Sequence, residues 1–167
     1  AGIHAINIDL MYGLPEQTQA TFARTLDTVA QIRPDRLAVY AYAHVPWLKP
    51  HQKVLDEKAL PSPETKLEIF RMTLGKLVGA GYENVGMDHF SKPDDELAVA
   101  RRNGSLYRNF QGYSTKSGCD LYAFGMSAIS LVGGVYHQNI KSIWDYYGRL
   151  DAGAIPTHAG YRMTPDD

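Results

Sequence analysis

The spacing of apolar residues divides the start of the chain into a strand, a helix and a second strand. Residues 6–11 alternate between apolar and polar, as in a strand with one buried face. Thr18 can cap a helix that runs to about Ile32, and Pro34 ends it before residues 36–44 return to a strand pattern. This order predicts a βαβ unit with parallel strands. The inward stripe of the helix is predicted to be Phe22, Leu26, Val29 and Ile32.

A second helix begins at Ser62 and Pro63, because serine is a good cap and proline fits the first helical position. Glycines 79 and 81 mark where it can end. Its inward-facing residues are predicted to be Leu67, Phe70, Leu74, Leu77 and Val78. The remaining predictions are a strand over 82–87, a helix over 94–103, extended segments over 109–113 and 121–130, and a helix over 142–152. The fold class is therefore α/β.

Composition excludes several classes of protein. The chain has 167 residues, of which 44% are hydrophobic and 21% charged, so disorder and a membrane span are not indicated. A net charge of -1 without a basic block argues against a nucleic-acid partner. Cys119 is the single cysteine, which excludes a disulfide framework and a cysteine-ligated cluster built by this chain alone. We expect a reducing, cytoplasmic setting.

Candidate chemistry lies where strands end, because ligands bind at the carboxyl ends of parallel strands. Asp9 is an acid on the polar face of a strand predicted to be buried, so it needs donors, which a ligand hydroxyl or amine could supply. A neighbouring backbone group or basic residue would also satisfy it. Small residues between aromatics over 40–46 leave room for a planar ligand, although strand packing is the commoner reason for such a pattern. His44 alone is no evidence for a metal site.

A third group of candidates lies further along the chain. Asp88 and His89 could form an acid–base pair, but neighbours within a strand face opposite sides and need not meet. Gln111 could orient a substrate through its amide, or pair a buried backbone group instead. Cys119 and His137 are expected to be structural.

Several segments resemble a known enzyme family. Residues 7–15, followed by Gln17 and Thr18, resemble a strand signature shared by the coproporphyrinogen oxidase branch of radical S-adenosylmethionine (SAM) proteins and its heme-chaperone relatives. Segments 42–46, 86–90, 93–97, 107–113 and 125–130 resemble the oxygen-independent coproporphyrinogen III oxidases specifically. In the heme chaperones the segment matching 42–46 usually ends in Gly-Thr, whereas here it is Tyr-Ala-His-Val-Pro.

The resemblance implies a fold and an activity. It implies the C-terminal part of an incomplete (β/α) radical SAM barrel plus the start of the following region, with residues 1–50 in the barrel and 51–167 in a post-barrel α/β segment. The family binds one [4Fe-4S] cluster and two SAM molecules. It decarboxylates two propionates of coproporphyrinogen III to vinyl groups through a 5'-deoxyadenosyl radical, giving protoporphyrinogen IX, and it needs an electron donor for the cluster. The cofactors supply the reactivity.

By the resemblance, Asp9 and Ala43 contact SAM, Ile129 contacts the other SAM, and Phe110 and Gln111 lie at the active site as catalytic residues. The family's Cys-x3-Cys-x2-Cys loop and its Gly-Gly-x-Pro segment have no counterpart in the chain. We therefore expect an internal to C-terminal piece of such an enzyme, without metal ligands and inactive alone. The family is monomeric, whereas the piece is expected to associate through exposed strand edges. A heme chaperone and a non-catalytic α/β interaction domain are the alternatives.

Overall fold

The structure is a computed structural model that describes residues 5–166, and these residues form two compact units, 5–115 and 116–166. The elements of the first unit are β1 (Asn7–Tyr12), α1 (Gln19–Ile32), β2 (Arg36–Ala41), α2 (Pro63–Gly79), β3 (Glu83–Gly86), β4 (His89–Ser91), α3 (Glu96–Arg102), β5 (Tyr107–Asn109) and β6 (Gly112–Ser114). Two short 3-10 turns, Pro50–Val54 and Glu57–Ala59, precede α2. The predicted α/β class is confirmed.

The predicted βαβ unit forms the centre of the first unit. β1 and β2 are parallel, with Asn7 opposite Arg36 and Tyr12 opposite Ala41. β4 pairs antiparallel with β2, and β3 with β4, so the sheet order is β1-β2-β4-β3. In the part of the chain that the structure describes, β1 therefore lies at an edge of the sheet, and the prediction of a buried first strand is wrong.

The core lies between one face of this sheet and the helices α1 and α2, which pack against each other. It consists of Phe22, Leu26, Val29, Leu37, Val39, Ile69, Leu77, Tyr82 and Phe90. Each fully buried side chain of this size contributes about 1.5–3 kcal/mol to folding. The opposite face of the sheet stays free of these helices, so it can carry polar side chains.

Capping signals located the helices well, but not all of their buried residues. Thr18 and Ser62 cap α1 and α2 as predicted, through their side-chain oxygens. Ile32 is 59% exposed, because α1 already ends there and the chain turns away at Arg33 in a left-handed conformation. In α2 the fully buried line is Ile69, Thr73 and Leu77, whereas the predicted Leu67 and Val78 are exposed. Of the other residues predicted to face inward, Leu77 is buried and Phe70 and Leu74 are partly buried.

The predicted strand over 82–87 is instead the first arm of a hairpin. β3 ends at Gly86, a turn follows, and β4 returns antiparallel to it. The turn forms because Met87 adopts a left-handed conformation, with φ of 47°. The predicted extended segment over 109–113 is likewise a hairpin, made of β5 and β6. The helix predicted over 94–103 is shorter, since Asp95 caps α3.

The second unit is a small antiparallel sheet with one helix. Its elements are β7 (Ile129–Val132), β8 (Val135–Asn139), α4 (Ile143–Asp151) and β9 (Thr157–Arg162), with strand order β7-β8-β9. The helix predicted over 142–152 is present as α4, and Ser142 caps it. Most of the segment predicted to be extended over 121–130 is loop, because only Leu121 bridges to Leu131 before β7 begins.

The division predicted at residue 50 falls inside the first compact unit. That division concerns the organisation of a longer protein, and it stays a prediction. No helix in residues 5–166 is long and apolar enough to span a membrane.

Candidate functional site

One row of residues crosses the face of the sheet that is opposite α1 and α2. Asp9 on β1 pairs in register with Ala38 on β2, and Ala38 pairs with His89 on β4. Directly paired residues point to the same side of a sheet, and neighbouring strands are about 4.8 Å apart, so Asp9 and His89 lie about 10 Å apart in the backbone. An acid and an imidazole therefore share one surface, with the small Ala38 between them.

Asp9 lies in the middle of β1 rather than at the end of its strand. It is exposed, and its Oδ1 accepts a hydrogen bond from the Asn7 side-chain amide at 2.6 Å. The alternative without a ligand required a neighbouring backbone group or a basic residue as the partner of Asp9, and Asn7 is neither. Asp9 keeps further lone pairs on an exposed edge strand, which suits a donor from a ligand. Its predicted contact with SAM stays a prediction.

Asp88 and His89 are in contact, although their neighbouring positions in the sequence did not require it. The Oδ1 of Asp88 is 2.7 Å from the Nδ1 of His89. The two residues are not both in a strand, because Asp88 belongs to the turn that the left-handed Met87 creates. The carboxylate fixes the ring through Nδ1, so Nε2 faces away from this bond.

The His89 ring lies between two tyrosines. Both contacts are edge to face, with ring centroids 6.0 Å apart for Tyr40 and 5.2 Å apart for Tyr113, so the ring touches a residue of the sheet and a residue of the hairpin. Gly86 makes room for Tyr113, since a Cβ at position 86 would lie 2.3 Å from the Tyr113 hydroxyl oxygen. These contacts join the sheet to the β5–β6 hairpin.

Phe110 and Gln111 form the turn of that hairpin. Phe110 is 48% exposed, and the backbone N–H of Gln111 donates to the Asn109 side chain at 2.9 Å. Gly112 follows with a φ of 133°, a conformation that favours glycine. The Gln111 side chain is exposed and does not pair a buried backbone group in the way that the alternative required. The catalytic role predicted for both residues stays a prediction.

Ala43 lies in the loop after β2 and is held by Gln52. The amide of Gln52 donates to the Ala43 carbonyl at 3.1 Å and accepts from the Val45 N–H at 2.6 Å. His44 contacts Glu57 through Nε2 at 3.2 Å, while its Nδ1 is buried without a partner among the described residues. The exposed Ala43 thus has a fixed backbone position close to the carboxyl end of β2.

Ile129 belongs to the second unit, where it begins β7 and pairs with Gln138. Beside that sheet lies a groove of about 460 Å³ whose lining includes Tyr122, Phe124, His137, Leu150 and Ile155. Cys119 is exposed and free. The SAM contact predicted for Ile129 stays a prediction, as do the structural roles of Cys119 and His137.

The charge on the open face favours a cation. Burial raises the pKa of Tyr40, and the negative charges of Asp9 and Asp88 raise it further. Asp9 and Asp88 therefore both act on the region around Tyr40, where their negative charges favour a cation. Among residues 5–166, no group of three His, Cys, Asp or Glu residues could hold a metal ion. The described residues thus do not fit an iron–sulfur cluster.

Sequence reasoning missed Tyr113 and Gly86 as parts of this surface. A glycine inside a strand, directly before a turn, can signal the close approach of another group, and Gly86 is such a glycine. Tyr113 gave no comparable signal, since its contact with His89 joins two separate hairpins.

The chain has the fold of part of a radical SAM enzyme. It covers 38% of a solved structure described as coproporphyrinogen III oxidase (HemN) from Escherichia coli, a radical SAM enzyme. The match includes 99% of this chain, with a TM-score of 0.94 and 48% sequence identity. The parallel βαβ unit described above is therefore a portion of that fold. No protein-family model matches the chain.

Its relatives by sequence are oxygen-independent coproporphyrinogen III oxidases. The chain is 50% identical to the one from Synechocystis over its full length, and 48% identical to the one from Escherichia coli over 99% of its length. It spans 36% of each of these two proteins and 52% of the one from Thermostichus vulcanus, to which it is 44% identical. The chain is homologous over its whole length to a segment of these oxidases, as the resemblance predicted.

Proposed function

We propose that this chain is part of an oxygen-independent coproporphyrinogen III oxidase that converts two propionates of coproporphyrinogen III to vinyl groups. The observation that carries the proposal is the agreement in both sequence and backbone over 99% of the chain, at 48% identity and a TM-score of 0.94. At this identity over a whole segment, a shared fold and a shared site are the expected outcome. The proposed setting is cytoplasmic, and the longer protein would need an electron donor.

In this proposal the first unit supplies SAM contacts through Asp9 and Ala43, and the second unit supplies a contact to the other SAM molecule through Ile129. Asp9 has exposed lone pairs and, with Asp88, gives the open face a negative character. Ala43 presents a small side chain on a backbone that Gln52 holds. A cationic, planar ligand can therefore approach the backbone closely there. SAM, when bound, supplies the hydrogen-abstracting radical.

Phe110 and Gln111 are proposed as catalytic residues that contact the reacting groups. They project from a turn that the Asn109 side chain closes and that Gly112 completes. Gln111 offers an amide donor and acceptor, and Phe110 offers an apolar surface that excludes water beside it. These residues would orient the ligands rather than transfer a proton.

The cluster ligands are proposed to lie in the part of the longer protein outside this chain. Reconstitution of the 167-residue chain with iron and sulfide should then yield no cluster. The measurement is the visible absorption spectrum with iron analysis. A stable iron–sulfur chromophore on this chain would contradict the proposal.

The activity is tested with the full-length protein, SAM, a reductant and coproporphyrinogen III. We expect the products to be protoporphyrinogen IX and carbon dioxide. Tight stoichiometric heme binding without conversion would instead favour a heme chaperone. Asp9→Ala is expected to weaken SAM affinity about tenfold or more, because a charged hydrogen bond contributes about 1.5–3 kcal/mol.

Asp94→Ala is the matched control, because Asp94 is an exposed acid of the same unit whose side chain bonds no other residue among 5–166. It should leave SAM affinity unchanged. If Asp9→Ala also binds SAM as the unaltered protein does, Asp9 is structural and the chain is better explained as a non-catalytic interaction domain.

A further inference from the structure

We infer that His89, held by Asp88, is a positioning residue that seats the β5–β6 hairpin and thereby the turn of Phe110 and Gln111. The inference rests on the proposed function, because it is the catalytic role of that turn that makes its position matter. It concerns residues 5–115 alone, all of which belong to one compact unit.

The first support is that the His89 ring is fixed from the sheet side. Its backbone lies in β4, paired with Ala38, and its Nδ1 is 2.7 Å from the Oδ1 of Asp88. The His89 side chain is only 18% exposed, so its ring has little freedom to change rotamer. A ring held by both its backbone and its nitrogen is a firm surface for another element to pack on.

The second support is that the hairpin contacts this ring. Tyr113 on β6 meets His89 edge to face, with centroids 5.2 Å apart, and Tyr40 also contacts the ring, with centroids 6.0 Å apart. Arg108 on β5 lies 5.7 Å from the centroid of the Tyr113 ring. Both strands of the hairpin therefore contribute to one stack, which consists of His89 in the sheet, Tyr113 against it and Arg108 over Tyr113.

The third support is that Gly86 brings Tyr113 directly against the sheet, while Gly112 lies at van der Waals distance from the His89 ring. A Cβ on Gly86 would come within 2.3 Å of the Tyr113 hydroxyl oxygen, so the tyrosine lies directly against the sheet backbone. A Cβ on Gly112 would lie 3.6 Å from the Nε2 of His89. Gly112 directly follows Gln111, so a displacement of the His89 ring would reach the turn through one residue.

A displaced turn is expected to change how often SAM cleavage leads to decarboxylation, rather than whether the protein folds. A displacement of about 1 Å can cost about a hundredfold in rate when a group must meet its substrate in one geometry. If the turn shifts, SAM would still be cleaved, but fewer cleavage events would lead to decarboxylation. The ratio of 5'-deoxyadenosine formed to carbon dioxide released measures this directly.

The experiment uses the full-length protein and compares His89→Ala, His89→Phe and a control, His158→Ala. His158 is an exposed histidine of the second unit. Each variant is assayed for kcat, KM, the deoxyadenosine-to-carbon dioxide ratio and the temperature of unfolding. We expect His89→Ala to raise the ratio about threefold or more. His89→Phe keeps a ring for Tyr113 but loses the bond to Asp88, so it should raise the ratio less than His89→Ala, and His158→Ala should match the unaltered protein.

Gly86→Ala is the second test, because its Cβ displaces Tyr113, and with it the hairpin, while the residues at position 89 and in the turn are unchanged. We expect it to raise the ratio of deoxyadenosine to carbon dioxide as His89→Ala does. If His89→Ala does not fold, the ratio of Gly86→Ala tests the inference in its place. A ratio equal to that of the unaltered protein, with only the unfolding temperature lowered, would overturn the inference, as would equal ratios for His89→Ala and His89→Phe. A full-length protein that is itself inactive would overturn the proposed function instead.

Discussion

Asp95 performs two stabilising functions with its two carboxylate oxygens, and their contributions can be separated. Oδ1 accepts from the backbone N–H of Leu97 at 2.8 Å and so caps α3. Oδ2 accepts from the Nε of Arg36 at 2.8 Å, and Arg36 also pairs with Glu96 at 2.9 Å. Burial would lower the pKa of Arg36, but the hydrogen bonds to the two acids outweigh it and raise the pKa. The Asp95 side chain is only 8% exposed.

The magnitude follows from these contacts. Loss of a helix cap costs about 1 kcal/mol. Breaking a fully buried ion pair costs about 3–5 kcal/mol. Because the Arg36 side chain is 30% exposed and keeps Glu96, we take about 1–2 kcal/mol for the lost pair here. Asp95→Ala should therefore lower the free energy of unfolding by about 2–3 kcal/mol.

The assay is urea unfolding of the 167-residue chain followed by circular dichroism. With a typical urea dependence for a domain of this size, the midpoint of Asp95→Ala should fall by about 1–2 M. Asp95→Asn keeps an oxygen for the cap and loses the charge, so its loss should be about 1–2 kcal/mol. The control Asp94→Ala alters an exposed acid and should stay within about 0.5 kcal/mol. Equal midpoints for Asp95→Ala and Asp94→Ala would refute the reasoning.

Three further predictions follow from charge and from the exposed strand. Hydrogen bonds from Lys92 and from the backbone of Ile6 hold the pKa of Asp35 below its usual 3.8. Near this pH the unfolded chain binds more protons than the folded chain, so the stabilisation from ionised Asp35 is complete above about pH 4 and is lost below it. The urea midpoint should therefore fall less between about pH 5 and about pH 3 in Asp35→Asn than in the unaltered chain. Asp9→Asn should lower the raised pKa of Tyr40, because it removes one of the negative charges that raise it. Phenolate absorbance measures this pKa, with Tyr40→Phe as the reference, and an unchanged pKa would mean that Asp9 is too far from Tyr40 to act on it. The open edge of β1 should make the isolated chain self-associate, so a monodisperse species of 18.6 kDa in light scattering would contradict that expectation.

Local signals were sufficient for the starts of helices and for the parallel unit. Thr18 and Ser62 cap their helices as predicted, because a cap depends on a side chain and a backbone N–H only a few residues away. The alternation in β1 is also as predicted, with Ile8 and Leu10 packed against the core and Asp9 exposed. The candidate residues at the ends of strands and in the hairpin turn were likewise visible in the sequence.

The buried face of α2 could not be read from its own residues. Apolar side chains occur nearly all round this helix, so the spacing of Leu67 and Val78 was as plausible as that of Ile69 and Thr73. Which line is buried depends on where α1 and the sheet meet α2, since burial follows the apolar surface of the neighbouring elements.

The candidate site shows the same limit at the level of single residues. Asp88 and His89 were visible as neighbours, but their contact depends on the left-handed Met87, which turns the chain between β3 and β4. The contact of His89 with Tyr113 joins residues of two hairpins. A helix cap involves residues a few positions apart, whereas these contacts exist only once distant strands have paired and their rings share a surface. Capping residues and sequence periodicity are local, so they predict helix starts and strand faces. The contacts between distant strands are decided by tertiary packing.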